Sequence, residues 1–393
     1  MVQQPRGFLA AYALAWAGGS IAYTPFLTVL LPLRFSELAG ADDVTWLALC
    51  ATIGAIAAGL ANIGWGWASD RLPGGVRRER LRWALAGLVA TAAAAAIIVA
   101  ADQPAALVLA VAGWQVALNL LLAPLAAYAA DSVPSSQKGV LGGMLSFAPA
   151  LAALSVIGVA TAAGTFAEQM TVISLIVCAA LAPLFLRSSA PDLGRASAPT
   201  IETAQRPLNT RTLWLLWLAR LFVQVAEGLL FVFIFYFLRS LSAGTLSLND
   251  YAWTNAGVQL LAIPIALTVG RLSDRHQRRK APLLAMVGLI AVGLAGMALA
   301  KSWLVVVCCY GVFLSGSNSF LALHSAFAMQ QLPDPARFGR DLGFFNLTNT
   351  LPSLISPLLA ALVIGSFGYQ ALLMALAAMM AVPALLLSRL SIR

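Results

Sequence analysis

The chain alternates long apolar runs with short polar turns along its whole length. The apolar runs reach about 20 residues, the length that a helix needs to cross the hydrocarbon core of a bilayer. A surface helix of a soluble protein would show polar positions at helical spacing, whereas residues 92–101 are apolar throughout. A membrane barrel would instead show alternating polarity in segments of about 10 residues. The pattern therefore predicts an all-α integral membrane protein.

Twelve membrane-spanning helices are predicted from this pattern. Their expected boundaries are about 8–31, 45–67, 81–101, 104–129, 139–163, 166–186, 211–238, 250–271, 281–300, 303–328, 339–364 and 366–388. The segment between the sixth and seventh helices is polar and rich in Pro, Ser and Thr, so it cannot bury enough apolar surface to fold alone. We expect an N-terminal six-helix half at 1–186, a cytoplasmic linker at 187–210 and a C-terminal six-helix half at 211–393.

A short motif returns in the turn after the second helix of each half. It reads GWASDR in the first half and GRLSDR in the second, with Gly, Ser, Asp and Arg at one constant spacing. This echo predicts two pseudo-symmetric six-helix bundles related by a parallel repeat about an axis along the membrane normal. The repeated residues that we single out are Gly66, Asp70 and Arg71, and Gly270, Asp274 and Arg275.

Composition and charge agree with a membrane protein. Apolar residues make up 61% of the chain and charged residues 10%, and the formal net charge is +9. With both termini inside, every Lys and Arg except Arg34, Arg220, Arg239 and Lys301 falls on the cytoplasmic side, so the basic excess indicates topology rather than a nucleic-acid partner. The first apolar run is too long for a cleavable signal peptide. We expect a multi-pass protein of the cell membrane, of the bacterial inner-membrane type, that is a monomer with cytoplasmic termini.

Six helices, a cytoplasmic linker and six more helices with the same loop motif resemble the major facilitator superfamily. The signature of that family, a Gly, an Asp-Arg pair, a later Gly and a basic cluster, is matched by GWASDRLPGGVRR, and the second copy, GRLSDRHQRRK, lacks only the later Gly. A narrower resemblance links DRLPGGVRRERLRW, ADSVPSSQKGVLGG and DLGFFNLTNTLPSLISPLLA to the sucrose-transporter-like and glycoside-pentoside-hexuronide branches. The resemblance implies the major facilitator fold and transport by alternating access.

The repeated motif is predicted to form a cytoplasmic latch, a set of contacts that closes the cytoplasmic side in one state. Asp70 can lie near the positive N-terminal end of a neighbouring helix, and Arg71 can reach a carboxylate or a helix C-terminus. The resemblance makes Asp131 the better-placed acidic partner, with Asp341 as the alternative. Gly66 and Gly270 allow close helix approach at a moving interface. An ordinary positive-inside loop would explain the Arg residues but not the repeated Gly and Asp.

Two ionisable residues stand inside a predicted span, and both lie on the seventh helix. Arg220 and Glu227 are seven residues apart, with Gln224 between them, so they share one face and are about 10 Å apart along the axis. A charged stripe is costly against lipid and is expected to point toward a cavity or another helix. We assign Glu227 as the candidate proton-coupling group and Arg220 as the residue that tunes proton release. The alternative is a structural ion pair or a hydrogen-bonded buried acid.

Other polar residues within the spans are candidates for a substrate site. Asn and Gln offer both donors and acceptors, as a polyhydroxylated ligand requires, although bonding between helices is an equally good explanation for any one of them. Trp16 is added because aromatic rings stack on sugars. Asn119, which has the counterpart Asn318 in the second half, favours a structural role, and His324 favours a satisfied structural histidine. The proposed substrate-binding set is Trp16, Gln115, Asn119, Gln224, Asn255, Gln259, Asn346 and Asn349.

The sequence contains no P-loop, nucleophile elbow, dinucleotide fingerprint or metal-ligand cluster, so we expect no enzymatic activity, no metal and no cofactor. A proton gradient would then drive transport. The first hypothesis is a proton-coupled symporter of a sugar or glycoside, with that small molecule and membrane lipid as its partners. The second is a proton-driven exporter of amphipathic or drug-like compounds. The third is a non-transporting membrane protein on the same fold.

Overall fold

The computed structural model describes residues 3–71, 76–134, 137–145, 147–162, 164–187, 210–242, 245–246, 248–276, 280–331 and 338–390. Helices account for nearly all of these residues, and no strand occurs among them. The predicted all-α fold is confirmed.

The first half contains helices α1 to α8. A π-helical turn, Phe26–Leu30, joins α1 to α2, and a 3-10 turn, Gly40–Asp42, joins α2 to α3. The helices are α1 (Arg6–Pro25), α2 (Leu31–Ala39), α3 (Asp43–Asp70), α4 (Val76–Ala100), α5 (Pro104–Ser132), α6 (Lys138–Leu145), α7 (Phe147–Ala162) and α8 (Phe166–Arg187). The first predicted span, 8–31, covers α1 and the π-helical turn and ends where α2 begins, so helix continues to Ala39 beyond the predicted boundary, and the fifth span corresponds to α6 and α7.

The second half contains helices α9 to α14. They are α9 (Thr210–Leu241), α10 (Leu248–His276), α11 (Lys280–Leu299), α12 (Trp303–Gln331), α13 (Phe338–Met379) and α14 (Ala381–Ser388). Helix α13 covers the eleventh predicted span and most of the twelfth, but its backbone breaks at Gly368, where φ is 79°. A positive φ is accessible to Gly at little cost, so the helix can break there.

Ten helical stretches among the described residues are long and apolar enough to cross a membrane, and Trp253–Val269 forms a shorter apolar stretch. The chain is therefore a multi-pass membrane protein.

Local sequence accounts for the start of α8. Thr165 and Glu168 form a capping box at the start of α8, because the backbone N–H of Thr165 donates to Glu168 Oε2 at 2.8 Å and that of Glu168 donates to Thr165 Oγ1 at 3.3 Å.

The π-helical turn in the first span has a similar local cause. Pro25 precedes the turn and Pro32 follows it, and neither has an N–H to donate to the helical ladder. The Thr28 hydroxyl donates to the Thr24 carbonyl at 2.7 Å and so satisfies one backbone acceptor beside the irregular turn.

The chain forms two compact units, and each unit contains segments from both halves of the sequence. The first unit comprises Met1–Pro134, Leu151–Leu208 and Leu332–Thr350, and the second comprises Ser135–Ala150, Asn209–Gln331 and Leu351–Arg393. The start of α13 thus packs with helices of the first half. Likewise, α6 packs with α10 and α12 of the second half.

Within each unit, glycines bring pairs of helices into direct backbone contact. A Cβ on Gly87 of α4 would lie 2.3 Å from the Leu121 nitrogen of α5, and a Cβ on Gly293 of α11 would lie 2.6 Å from the Phe313 nitrogen of α12. Such separations are shorter than any real carbon contact, so only Gly fits at these positions. Close approach of this kind is a principal source of helix association in membranes.

Substitution of Gly87 tests this packing. Gly87→Ala is expected to destabilise the protein by roughly 1–3 kcal/mol, because α4 and α5 must separate to admit the methyl group. Gly113→Ala on α5 is the matched control, since a Cβ there meets nothing within 4 Å, and it should be neutral or slightly stabilising. Thermal unfolding in detergent measures both. Equal effects of the two substitutions would contradict the packing argument.

Candidate functional site

The polar residues of the seventh predicted span lie on α9 and are bonded to α12 within the second unit. The Ser317 hydroxyl donates to Glu227 Oε2 at 2.9 Å, and Arg220 Nη1 donates to the Ser325 hydroxyl at 3.1 Å. The two helices run antiparallel here, because the earlier residue on α9 pairs with the later one on α12. Two charged groups on one helix are therefore each positioned by a serine of its neighbour.

Arg220, Gln224 and Glu227 form a half-buried line along one face of α9, which we call the α9 stripe. Helices that face lipid expose large apolar side chains, as α4 does with Leu85, Val89 and Ile97. Among the described side chains of α9, the large exposed hydrophobic residue is Trp214, close to the start of the helix. The middle of α9 also carries half-buried Leu221 and Phe222, so exposure alone does not mark one face, but charged side chains are costly against lipid and are expected to point away from it.

Two further titratable groups lie beside the stripe. His324 is fully buried on α12, where its Nε2 lies 3.0 Å from the Leu216 carbonyl of α9 and its ring stacks against Phe320. His324 is an electrostatic neighbour of Arg220, and Tyr310 is an electrostatic neighbour of Glu227. The stripe thus carries one cation, one amide and one carboxyl, and α12 adds two serine hydroxyls, an imidazole and a phenol beside it.

The predicted substrate residues on α10 are bonded to α12. Tyr310 donates to Asn255 Oδ1 at 2.8 Å, and Asn318 Nδ2 donates to Gln259 Oε1 at 3.1 Å. These contacts are bridges between helices, which was the alternative explanation for such amides. Their part in substrate binding stays a prediction.

A matching amide bridge occurs in the first unit. Asn62 Nδ2 donates to Asn119 Oδ1 at 2.8 Å, and Asn119 Nδ2 donates in turn to the Gln115 carbonyl of its own helix, also at 2.8 Å. This bridge joins α3 to α5, as the Gln259 bridge joins α10 to α12. The same polar contact therefore recurs between the second and fourth spans of each half.

The remaining substrate candidates lie in three places within the first unit. The Trp16 ring stacks on that of Tyr12, with ring centroids 6.5 Å apart. The Gln115 side chain lies beside Gly54. On α13, Asn349 donates to Asn346 in the first-unit part of that helix. These residues belong to the first unit and the α9 stripe belongs to the second, and their shared role in substrate binding stays a prediction.

A second polar group, the Asp70 cluster, lies in the first unit and consists of Asp70, Arg80 and Asp131. Arg80 is fully buried on α4, with its NH2 group 3.0 Å from Asp70 Oδ1 and its Nε 2.9 Å from Asp131 Oδ2. Asp70 ends α3, and Asp131 lies in the last turn of α5. One buried guanidinium therefore binds the ends of two neighbouring helices.

The Asp70 carboxylate also caps the start of α13. The backbone N–H of Arg340 donates to Asp70 Oδ2 at 2.8 Å, and the Arg340 side chain pairs with Asp341. A carboxylate at a helix N-terminus is stabilised by the free N–H groups and the helix dipole. Asp70 thus joins the end of α3 to the beginning of a helix that belongs to the other half of the sequence.

Small residues allow helices from the two sequence halves to pack closely inside each unit. In the first unit, a Cβ on Gly343 of α13 would lie 2.8 Å from the Ile63 Cα of α3. In the second, a Cβ on Gly142 of α6 would lie 2.9 Å from the Ala322 carbonyl oxygen of α12. The start of the eleventh span and the start of the fifth span thus make equivalent contacts.

The structure describes only some side chains of the repeated Gly, Asp and Arg motif. Gly66 is buried, and its carbonyl accepts the Ser69 hydroxyl. Arg71 stacks over the Trp67 ring, 3.4 Å from its centroid, rather than reaching a carboxylate. In the second copy of the motif, Gly270 lies in α10. The side chains of Asp274 and Arg275 lie outside the described part of the structure, as do Gly74 and Gly75.

Arg80 is the functional candidate that the sequence interpretation missed. The basic cluster RRERLR offers four arginines, and the motif drew attention to those nearest Asp70. Helical spacing would have identified Arg80 as the buried arginine. Arg80, Ala84 and Gly87 share one face of α4, and Gly87 faces α5. Among the described residues, no cluster of His, Cys, Asp or Glu could hold a metal ion.

Comparison with known proteins supports the same architecture. The family model described as Major Facilitator Superfamily matches residues 216–392. Three solved structures resemble the chain over 98% of its length. The human organic anion transporter MFSD10 (TETRAN) is 16% identical, is covered completely and gives a TM-score of 0.77. A bacterial homologue of the iron transporter ferroportin is 14% identical, is 99% covered and gives 0.72.

The third similar structure is the proton:xylose symporter XylE bound to 6-bromo-6-deoxy-D-glucose. It is 12% identical, is 95% covered and gives a TM-score of 0.74. No curated protein matches the chain in sequence. At these identities the likeness shows the fold, and the fold of this chain is that of the major facilitator transporters.

Proposed function

We propose that the chain is a member of the major facilitator superfamily and a secondary active transporter that works by alternating access. The fold supports the mechanism, because proteins of this architecture rock two repeats around a site near the membrane midplane. The cargo in this proposal is a sugar or glycoside carried together with protons, as the sucrose-transporter-like resemblance implies. The protein lies in a cell membrane of the bacterial inner-membrane type, with both termini cytoplasmic.

The α9 stripe is the observation that carries proton coupling. Glu227 is a carboxyl within a membrane-spanning helix, and it is half-buried and held by the Ser317 hydroxyl. Ionisable groups inside spans are costly and mark ion pathways in transporters. In this proposal Glu227 takes up a proton from outside, stays neutral during the conformational change and then releases the proton to the cytoplasm.

The Asp70 cluster supplies the conformational part of the proposal. The bond from Arg340 N–H to Asp70 and the close packing of α13 on α3 connect the two sequence halves. We propose that these contacts form the cytoplasmic latch, so that they are present when the site faces outward and separate when it opens inward.

Transport by the purified protein in proteoliposomes tests this function. With the outside acidic, labelled sugars or glycosides should accumulate, because a gradient of one pH unit supports about tenfold accumulation of a neutral solute for each proton carried. A protonophore should abolish that accumulation. Drug efflux without any sugar uptake would favour the exporter. Absence of both transport and ligand stabilisation across sugars, organic acids and drugs would favour a non-transporting protein.

A further inference from the structure

Basic side chains are exposed where α3 ends and α4 begins. Arg71 follows the last residue of α3, Arg78 and Arg82 lie in the first two turns of α4, and we call these three exposed residues the α3–α4 corner. Glu79 pairs with Arg82 and compensates one of the charges. The Asp70 cluster beside the corner carries one net negative charge, but its carboxylates are largely buried. The exposed surface of the corner is therefore positively charged.

Trp67 holds the most exposed part of Arg71 in a defined position. The Arg71 guanidinium lies over the Trp67 ring, 3.4 Å from its centroid, and Trp67 is itself 46% exposed. Stacking engages the flat face of a guanidinium, whereas the N–H groups that bind phosphate lie in its plane. Trp is also a residue type that anchors helices at the membrane–water interface. The pair therefore presents a preorganised phosphate donor at the level where lipid headgroups lie.

Both helices change from apolar to basic along one exposed face. On α4, the exposed side chains of Leu85 and Val89 continue the face of Arg82 at helical spacing. On α3, exposed Leu60 lies two turns before Trp67 on the same face. Exposed apolar side chains of a membrane-spanning helix face lipid chains, so the basic ends of these faces meet the headgroups. The order of groups along each face matches the order within a phospholipid, from acyl chain to phosphate.

Two further tryptophans connect α3 and α4 beside these faces. Both helices pack on α5, and the half-buried rings of Trp65 and Trp83 contact each other with centroids 5.9 Å apart. Trp65 Nε1 donates to the Val116 carbonyl of α5 at 3.0 Å, which fixes the position of that ring. Trp65 precedes Arg71 on α3, and Trp83 follows Arg78 on α4, so the rings lie deeper in the membrane than these arginines. They provide an apolar surface next to the positive charge.

We propose that the α3–α4 corner binds an anionic phospholipid, with its phosphate at Arg71, its charge attracted by Arg78 and Arg82, and an acyl chain along the exposed apolar face of α4. The leaflet that supplies this lipid is the cytoplasmic one in the topology proposed above. A soluble anion would match the charge of the corner but would leave the tryptophans and the apolar face unused. The site goes beyond the proposed transport function and does not depend on it.

Lipid-dependent thermal stabilisation of the purified full-length protein in detergent tests this site. The probes are phosphatidylglycerol, which is anionic, and phosphatidylcholine with the same acyl chains, which has no net charge. A basic residue near a membrane surface strengthens the binding of anionic lipid by about fivefold. Phosphatidylglycerol should therefore reach half-maximal stabilisation at a concentration at least about fivefold lower than phosphatidylcholine.

Substitutions distinguish a defined site from the general basic charge of the protein. Arg71→Gln should remove most of the preference for phosphatidylglycerol, and Trp67→Leu, which keeps an apolar side chain but removes the stacking, should reduce it. Arg271→Gln is the matched control, because Arg271 is an exposed arginine of the second unit at the motif position that corresponds to Trp67. This control should keep the preference. Each variant is compared with its own lipid-free melting temperature, so a change in basal stability does not alter the result.

Three outcomes would overturn the proposal. Equal stabilisation by the two lipids would show that the corner does not select an anionic headgroup. Equal loss of the preference in Arg71→Gln and Arg271→Gln would assign it to the net charge of the protein rather than to this site. The same stabilisation by inorganic phosphate at the same concentration would identify a soluble anion as the occupant. These measurements need no transported solute, so they leave the proposed transport function to its own test.

Discussion

Glu227→Gln is expected to abolish proton-driven accumulation while leaving solute exchange intact. Gln keeps the size and the acceptor for the Ser317 hydroxyl, which donates to Glu227 at 2.9 Å, but it cannot take up or release a proton. The variant should therefore equilibrate a labelled substrate across the proteoliposome membrane without concentrating it. Counterflow, in which an internal unlabelled substrate draws in a labelled one, should continue, because exchange needs the conformational change and not net proton movement.

Asp102→Asn is the matched control for this prediction. Asp102 is an exposed residue between α4 and α5, and its conversion removes one carboxylate outside the α9 stripe. Accumulation by this variant should equal that of the wild type. If Glu227→Gln still accumulates substrate fully under a pH gradient, Glu227 has a structural role, and the coupling group lies elsewhere.

The sequence pattern was sufficient to predict the helical architecture because apolar length decides whether a helix spans a membrane. It also predicted a boundary between the last two spans at about residue 365, and the structure breaks the helix nearby, at Gly368. It did not predict the π-helical turn at Phe26–Leu30. Pro25 indicates an irregularity, but sequence alone does not determine whether a helix responds by kinking or by widening one turn.

Contacts between helices could be predicted only where a side chain has a single kind of partner. The sequence placed Asp70 near a helix N-terminus, and the structure identifies that terminus as the start of α13, through Arg340. For Arg71 the sequence predicted a carboxylate or a helix C-terminus, whereas the structure places its guanidinium over the ring of Trp67, one turn earlier on α3. The repeat of Asn119 as Asn318 favoured a structural role, but the sequence did not identify the partner, which is Asn62 on α3.

Arg80 shows why the Asp70 cluster was only partly predictable. Membrane topology explains a basic cluster after α3 without distinguishing its members. The distinction comes from packing, because the α4 face that carries Gly87 lies against α5 and places Arg80 between two carboxylates. The buried member of the cluster therefore stabilises helix ends, whereas Arg78 is exposed.

Arg80→Met is expected to cause the largest loss of stability among the arginine substitutions in this region. Removing the guanidinium leaves Asp70 and Asp131 as neighbouring carboxylates without their shared cation, and breaking a buried pair in this way costs about 3–5 kcal/mol. Arg78→Met, two residues earlier on the exposed side of α4, should change stability by less than about 0.5 kcal/mol. Thermal unfolding in detergent, followed by tryptophan fluorescence, compares the two variants.

A variant that lacks the Asp70 and Asp131 carboxylates separates the contribution of the ion pairs from the other contacts of the Arg80 side chain. Asp70→Asn together with Asp131→Asn removes the carboxylates that the guanidinium compensates, so adding Arg80→Met to this double variant should cost much less than it does in the wild type. The difference between the two costs measures the coupling within the Asp70 cluster. If Arg80→Met is equally costly in both backgrounds, the loss comes from the fit of the guanidinium and its hydrogen bonds to neutral acceptors, and the charge network contributes little to stability.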